Sequence, residues 1–75
     1  MATTTLDTTG LICPLPVLKA KKAIRDVAGG DTLEVLASDP GAVADFETFC
    51  EITGHVLVEQ SEDDGVFRFL IRKCD

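Results

Sequence analysis

Two stretches of helical period, each opened by proline and closed by glycine, constrain this chain more than any other feature. From Pro14 to about Ala28 the apolar residues Val17, Ala20, Ile24, Val27 and Ala28 fall on one stripe, and Gly29-Gly30 follows. From Asp39-Pro40 to Gly54 the stripe is Ala42, Val43, Phe46, Phe49 and Cys50. Proline suits a first helical turn because its missing N–H has no intrahelical partner there. Glycine closes a helix because it enters the left-handed region at no steric cost.

Alternating segments surround these helices. Thr4–Asp7 reads as a short strand closed by Thr8-Thr9-Gly10. Thr32–Ser38 reads as a second, with Leu33, Val35 and Ala37 on its more apolar face. Val56 and Val58, then Phe67, Phe69 and Ile71, supply the apolar faces of two more strands around the turn Glu62-Asp63-Asp64-Gly65. The order is β-α-β-α-β-β. Each helix has one apolar face, so both are expected on one side of a four-stranded mixed sheet, an α+β two-layer sandwich. Right-handed crossovers make the first three strands parallel and give a spatial order of 1-2-4-3.

Seventy-five residues allow one domain, 1–75, in which folding buries about 60% of the unfolded chain's surface. With 45% hydrophobic and 27% charged residues, the composition is that of a folded chain. No apolar run reaches the length of a membrane span, and the first residues lack the regions of a secretory signal, so a cytoplasmic, membrane-free location is expected. The net charge of −6 argues against direct nucleic-acid binding. That average hides an asymmetry. Lys19, Lys21, Lys22 and Arg25 are four of the seven bases, whereas 39–64 holds eight acids and neither Lys nor Arg.

The topology brings Cys13, Asp39 and the Glu62–Asp64 turn to the edge where the parallel strands end, where open sheets commonly place their sites. Gly54-His55, Cys74 and the end of the second helix with Cys50 fall at the opposite edge. Cys13, as N-cap of the first helix, meets the positive end of the helix dipole and unpaired amides, both of which favour thiolate. Asp39 and the acidic turn oppose that effect. Pro14 and Pro16 stiffen the turn and leave Leu15 and Val17 as the only nearby donors. In a Cys-x-x-Cys pair the second thiol resolves a mixed disulfide. Here Pro16 stands at that position, so sulfur loaded on Cys13 has no near neighbour to expel it. The plain alternative is a small buried cysteine.

The segment Leu6-Asp7-Thr-Thr-Gly10-Leu11-Ile-Cys13-Pro14-Leu-Pro16 resembles the signature of the TusA/SirA-type sulfur carriers. So do Asp39-Pro40 with Asp45, Phe49-Cys50 ahead of Gly54-His55, and the run Arg68–Lys73. The resemblance implies the same sandwich and a persulfide on Cys13. A cysteine desulfurase or rhodanese-like donor would supply the sulfur, and an acceptor protein would take it on. Family members serve tRNA thiolation, molybdenum cofactor metabolism or sulfur oxidation. Such a sulfurtransferase turns over only with partners and calls for no cofactor. Ile12 and Leu15 depart from the charged residues often found beside the cysteine in the tRNA-thiolation branch, which bears on the partner rather than on the chemistry.

Other residues have simpler readings. Cys50 lies on an apolar stripe and is expected to be core, and Cys74 is expected to be exposed near the chain end. A zinc site from Cys13, Cys50, Cys74 and His55 fails on spacing and on their opposite edges, so no metal is expected. His55 as a base for Cys13 fails on the same edges, and Asp39 reads as a helix cap. The spacing of Asp45 assigns it no role. Glu34, Glu59, Arg68 and Arg72 are placed to pair across the outer sheet face. The basic face of the first helix is either solvated or a docking surface for an acidic partner. Two other functions compete with the carrier: a regulatory or RNA-binding module of the same fold, and a thiol redox enzyme pairing Cys13 with Cys50 or Cys74.

Overall fold

The computed structural model describes residues 3–74. The strands are β1 (Thr3–Thr8), β2 (Thr32–Ala37), β3 (Val56–Asp63) and β4 (Val66–Arg72). The helices are α1 (Leu15–Ala23), continued by a short 3₁₀ turn over Ile24–Asp26, and α2 (Ala42–Thr53). The sheet order is β1-β2-β4-β3, with β1 parallel to β2 and β4 antiparallel to both β2 and β3. Fold class and strand order are those expected from the sequence.

The core lies between the sheet and both helices. Leu33, Val35 and Ala37 of β2 and Phe69 and Ile71 of β4 form its floor, all fully buried. Ala20 and Ile24 cover it from the first helical segment; Ala42, Phe46, Phe49 and Cys50 cover it from α2. Phe46 is the centre of this packing. Its ring stacks on Phe69 at 4.6 Å and meets Phe49 edge-on at 6.4 Å. Offset and edge-on aromatic pairs stabilise beyond the area they bury.

Three local expectations are corrected. First, α1 ends at Ala23 rather than near Ala28, and Ala28 is exposed. The chain leaves through the 3₁₀ turn, and a further turn places Gly30 at φ +87° beneath an Asp31-to-Ala28 backbone bond. Second, Val56 and Val58 are exposed, and Leu57 packs against the core instead. A register shift between Leu57 and Glu59 puts Leu57 opposite buried Ile71 and Val56 opposite exposed Arg72. The extra residue breaks the period-two alternation on which the expectation rested. Third, the helical segment of α2 begins at Ala42, two residues beyond Pro40, and its N-cap is Gly41.

The ends of α2 and of the β3–β4 hairpin follow their sequences. Gly54 takes φ +84° and donates its N–H to the Cys50 carbonyl at 2.9 Å. Asp64 and Gly65 both take positive φ, the conformation a two-residue hairpin needs to match strand twist. On the outer face Arg68 joins Glu34 and Glu59, holding β2, β4 and β3 together. The guanidinium lowers the Glu34 carboxyl from its ordinary value, with a further contribution from the Thr5 hydroxyl.

Candidate functional site

The loop from β1 to α1 carries Cys13, and its polar residues fix its path. The Asp7 carboxylate accepts hydrogen bonds from the Thr9 amide (2.9 Å) and hydroxyl (2.7 Å), which lower its pKa. Gly10, at φ +85°, donates its N–H to Ser38 Oγ at 2.8 Å, tying the loop to the end of β2. The Thr8 side chain is buried, and its hydroxyl donates to the Leu36 carbonyl. The Leu6-Asp7…Gly10 part of the motif thus shapes the loop that delivers the cysteine.

Cys13 is exposed and lies one residue ahead of the N-cap, which is Pro14; the Cys13–Pro14 peptide is cis. This corrects its expected place as N-cap. The consequence is chemical. The Leu15 amide is used by the Ile12 carbonyl at 2.9 Å, and the Cys13 amide donates to Asp39 Oδ2 at 2.5 Å. The Cys13 thiol donates instead to Asp45 Oδ2, one turn into α2. This hydrogen bond to Asp45 is the largest influence on Cys13 and raises its pKa above the ordinary thiol value. Desolvation and the charges of Asp45 and Asp39 act in the same direction. The sulfur thus meets a carboxylate rather than the helix-terminal amides expected to favour thiolate.

Asp39 ties the loop after β1 to the loop after β2. Besides the Cys13 amide, its carboxylate accepts the Gly41 amide at 3.1 Å, and both bonds lower its pKa. It caps the turn before α2 and anchors the cysteine loop at once. A Cβ at Gly41 would lie 3.4 Å from Cys13 Cβ, so this glycine lets the cysteine sit against the start of α2. Asp45 is the residue at this site that sequence reasoning left without a role. The available signal was its position in the first turn of a helix that starts at the same sheet edge as Cys13.

A groove of about 390 Å³ runs from this site between the helices, lined by Pro14, Leu18 and Lys21 on one side and Asp45, Phe49 and Ile52 on the other. Ile12, Leu18 and Ile52 are more than half exposed, at 70%, 53% and 79%. The basic residues of the first helical segment are split by the fold. Lys21 borders this groove, whereas Lys19 and Lys22 border a separate recess with Leu6 and Asp26. Arg25 is exposed in the 3₁₀ turn. Pro16 is buried and anchors the start of α1, while Pro14 is exposed at the groove.

The remaining candidates lie where the topology placed them. Cys50 is buried in the core, and burial raises its pKa. Cys74 sits at the opposite edge, its amide donating to His55 Nδ1 at 3.0 Å and its thiol to the Thr53 carbonyl at 3.7 Å. Burial and then Lys73 lower the His55 pKa, and its Nδ1 accepts the Cys74 amide at the edge opposite Cys13. Among the described residues no helix is long and apolar enough to cross a membrane.

Comparisons with known proteins place the chain in a family. Residues 4–73 match the sulfurtransferase TusA family. A relative in Neisseria meningitidis is 57% identical over 72 residues, covering 96% of this chain and 97% of its own. The sulfur carrier protein TusA of Allochromatium vinosum is 50% identical over 68 residues, covering 91% of this chain and 90% of its own. The crystal structure of a SirA-like protein from Desulfitobacterium hafniense superposes with a TM-score of 0.82 at 26% identity, covering 99% of this chain and all of that one. With the sandwich, an exposed Cys-Pro-x-Pro cysteine where its parallel strands end and this match over nearly the whole chain, the protein belongs to the TusA family of sulfur carriers.

Proposed function

We propose that Cys13 holds sulfur as a persulfide and passes it, in the cytoplasm, from a donor protein to an acceptor protein, with residues 1–75 acting as one unit. The observation that carries this reading is the isolation of Cys13. It is exposed at the edge where strands β1 and β2 end, while Cys50 is buried and Cys74 lies at the other edge. No second thiol is placed to resolve a loaded Cys13, which suits a carrier and opposes an intramolecular redox couple. The donor is a cysteine desulfurase or a rhodanese-like protein. The acceptor belongs to a sulfur pathway such as tRNA thiolation, molybdenum cofactor metabolism or sulfur oxidation. Cofactor and metal are not required, because a thiol alone accepts and releases the sulfur atom.

Partner recognition falls to the surface around the cysteine. The apolar groove supplies buried area for a partner's side chains, and Lys21 on its rim, with Lys19, Lys22 and Arg25 beyond, attracts acidic residues. A relay assay tests both parts. A desulfurase charged with ³⁵S-cysteine is mixed with this protein, and label is followed onto the chain and then onto an acceptor. Lys21→Glu is expected to slow loading from the protein donor about tenfold at low salt, by reversing a steering charge. The effect should shrink as salt rises. Loading from a small-molecule persulfide should not change. Equal slowing with both donors would contradict the docking role of Lys21; absence of label on the wild-type chain would contradict the carrier.

A further inference from the structure

We infer that Asp45 biases Cys13 toward releasing its sulfur: its carboxylate accepts the Cys13 S–H when the cysteine is empty and repels the persulfide anion when it is loaded. This deepens the carrier reading and rests on it. The geometry is specific. The Cys13 thiol points at Asp45 Oδ2 across the interface between the α1 loop and α2. The Cys13 amide donates to Asp39, which fixes the main chain that presents the sulfur to Asp45. The acidic groups acting on the sulfur are thus Asp45 from α2 and Asp39 from the preceding loop. Lys21, from the facing helix, borders the same groove as Asp45.

The two states of Cys13 differ in charge. An empty cysteine facing a carboxylate stays a neutral donor. A persulfide is a stronger acid than its parent thiol, and its outer sulfur ionises where the thiol does not. The anion then faces a carboxylate of the same sign. Loading replaces a hydrogen bond by a repulsion, so Asp45 stabilises the empty state relative to the loaded one and turns the outer sulfur toward solvent. Discharge is balanced without an oxidant. The persulfide anion first takes a proton from solvent; an acceptor thiolate then attacks its outer sulfur, forming a new S–S bond as the bond to Cys13 Sγ breaks. The electron pair of the broken bond leaves on Sγ, and the Cys13 thiolate takes up a proton from solvent and shares it with Asp45. The acceptor ends as the persulfide.

Asp45→Asn tests the inference, since an amide oxygen still accepts S–H but carries no charge. Two quantities are measured on folded protein, checked by circular dichroism. The first is the pH profile of Cys13 alkylation by iodoacetamide, with Cys50→Ala and Cys74→Ala present in both proteins. The second is the equilibrium partition of sulfur between Cys13 and glutathione, starting from glutathione persulfide. Asn at 45 is expected to move the alkylation profile to lower pH. It should also shift the partition toward loaded Cys13 by about threefold, the size of a solvent-screened charge contact. Asp45→Glu should restore part of both effects. Unchanged partition and an unchanged profile, with wild-type Cys13 taking up sulfur normally, would overturn the role of Asp45 alone. No uptake by wild-type Cys13 would overturn the carrier reading itself, and with it this inference.

Discussion

Phe46→Ala is expected to destabilise the fold by about 3–5 kcal/mol, the range for removing a buried aromatic side chain. The ring is fully buried and is the largest fully buried side chain to bridge α2 and β4, stacking on Phe69 and touching Phe49. The cost combines lost transfer free energy with the cavity left between helix and sheet, which cannot close because Leu33, Val35 and Ile71 hold the sheet floor in place. A domain of this length has a total stability of about 4–11 kcal/mol. The variant should therefore lose a large share of its stability, and it unfolds outright where the wild type lies at the low end of that range. Urea unfolding followed by circular dichroism measures this, with the midpoint expected to fall at constant slope. A loss below about 1 kcal/mol would mean that the α2–sheet interface is not the packing centre.

Cys13→Ala is expected to do the reverse, leaving stability unchanged and removing all sulfur uptake at the site. The side chain is exposed, and its contact with Asp45 is screened by solvent, so the change should stay within about 0.5 kcal/mol. Uptake is lost completely because Cys50 is buried and Cys74 lies at the other edge of the sheet. Cys50→Ala and Cys74→Ala should take up sulfur as the wild type does. Full uptake by Cys13→Ala would show that the reactive sulfur is elsewhere.

Much of this was legible in the sequence because it depended on period and punctuation. The stripes of Ala20, Ile24 and Phe46, Phe49, and the alternation of Leu33, Val35 and Ala37, each encode a buried face directly. With two crossovers of fixed hand, those faces leave little freedom in strand order. Cys13 stood out because its prolines and its place after β1 define a local environment. The misses share a different cause. Asp45 lies 32 residues from Cys13, and only the packing of α2 against the cysteine loop brings them together. The raised pKa of Cys13 followed the same path, since its largest cause is a carboxylate distant in sequence. The faces of Val56 and Val58 were hidden by one bulge, because a single extra residue reverses every side chain beyond it.

Membership of the TusA family and the position of Cys13 converge on one claim, that this cysteine is where the sulfur is carried. Peptide mass spectrometry of the wild-type protein tests it most directly, after incubation with a cysteine desulfurase and cysteine, or with a rhodanese and thiosulfate. A reductant-labile gain of one sulfur atom is expected on the peptide containing Cys13, and none on the peptides containing Cys50 or Cys74. Sulfur on Cys74 instead, or on no peptide with either donor, would contradict it.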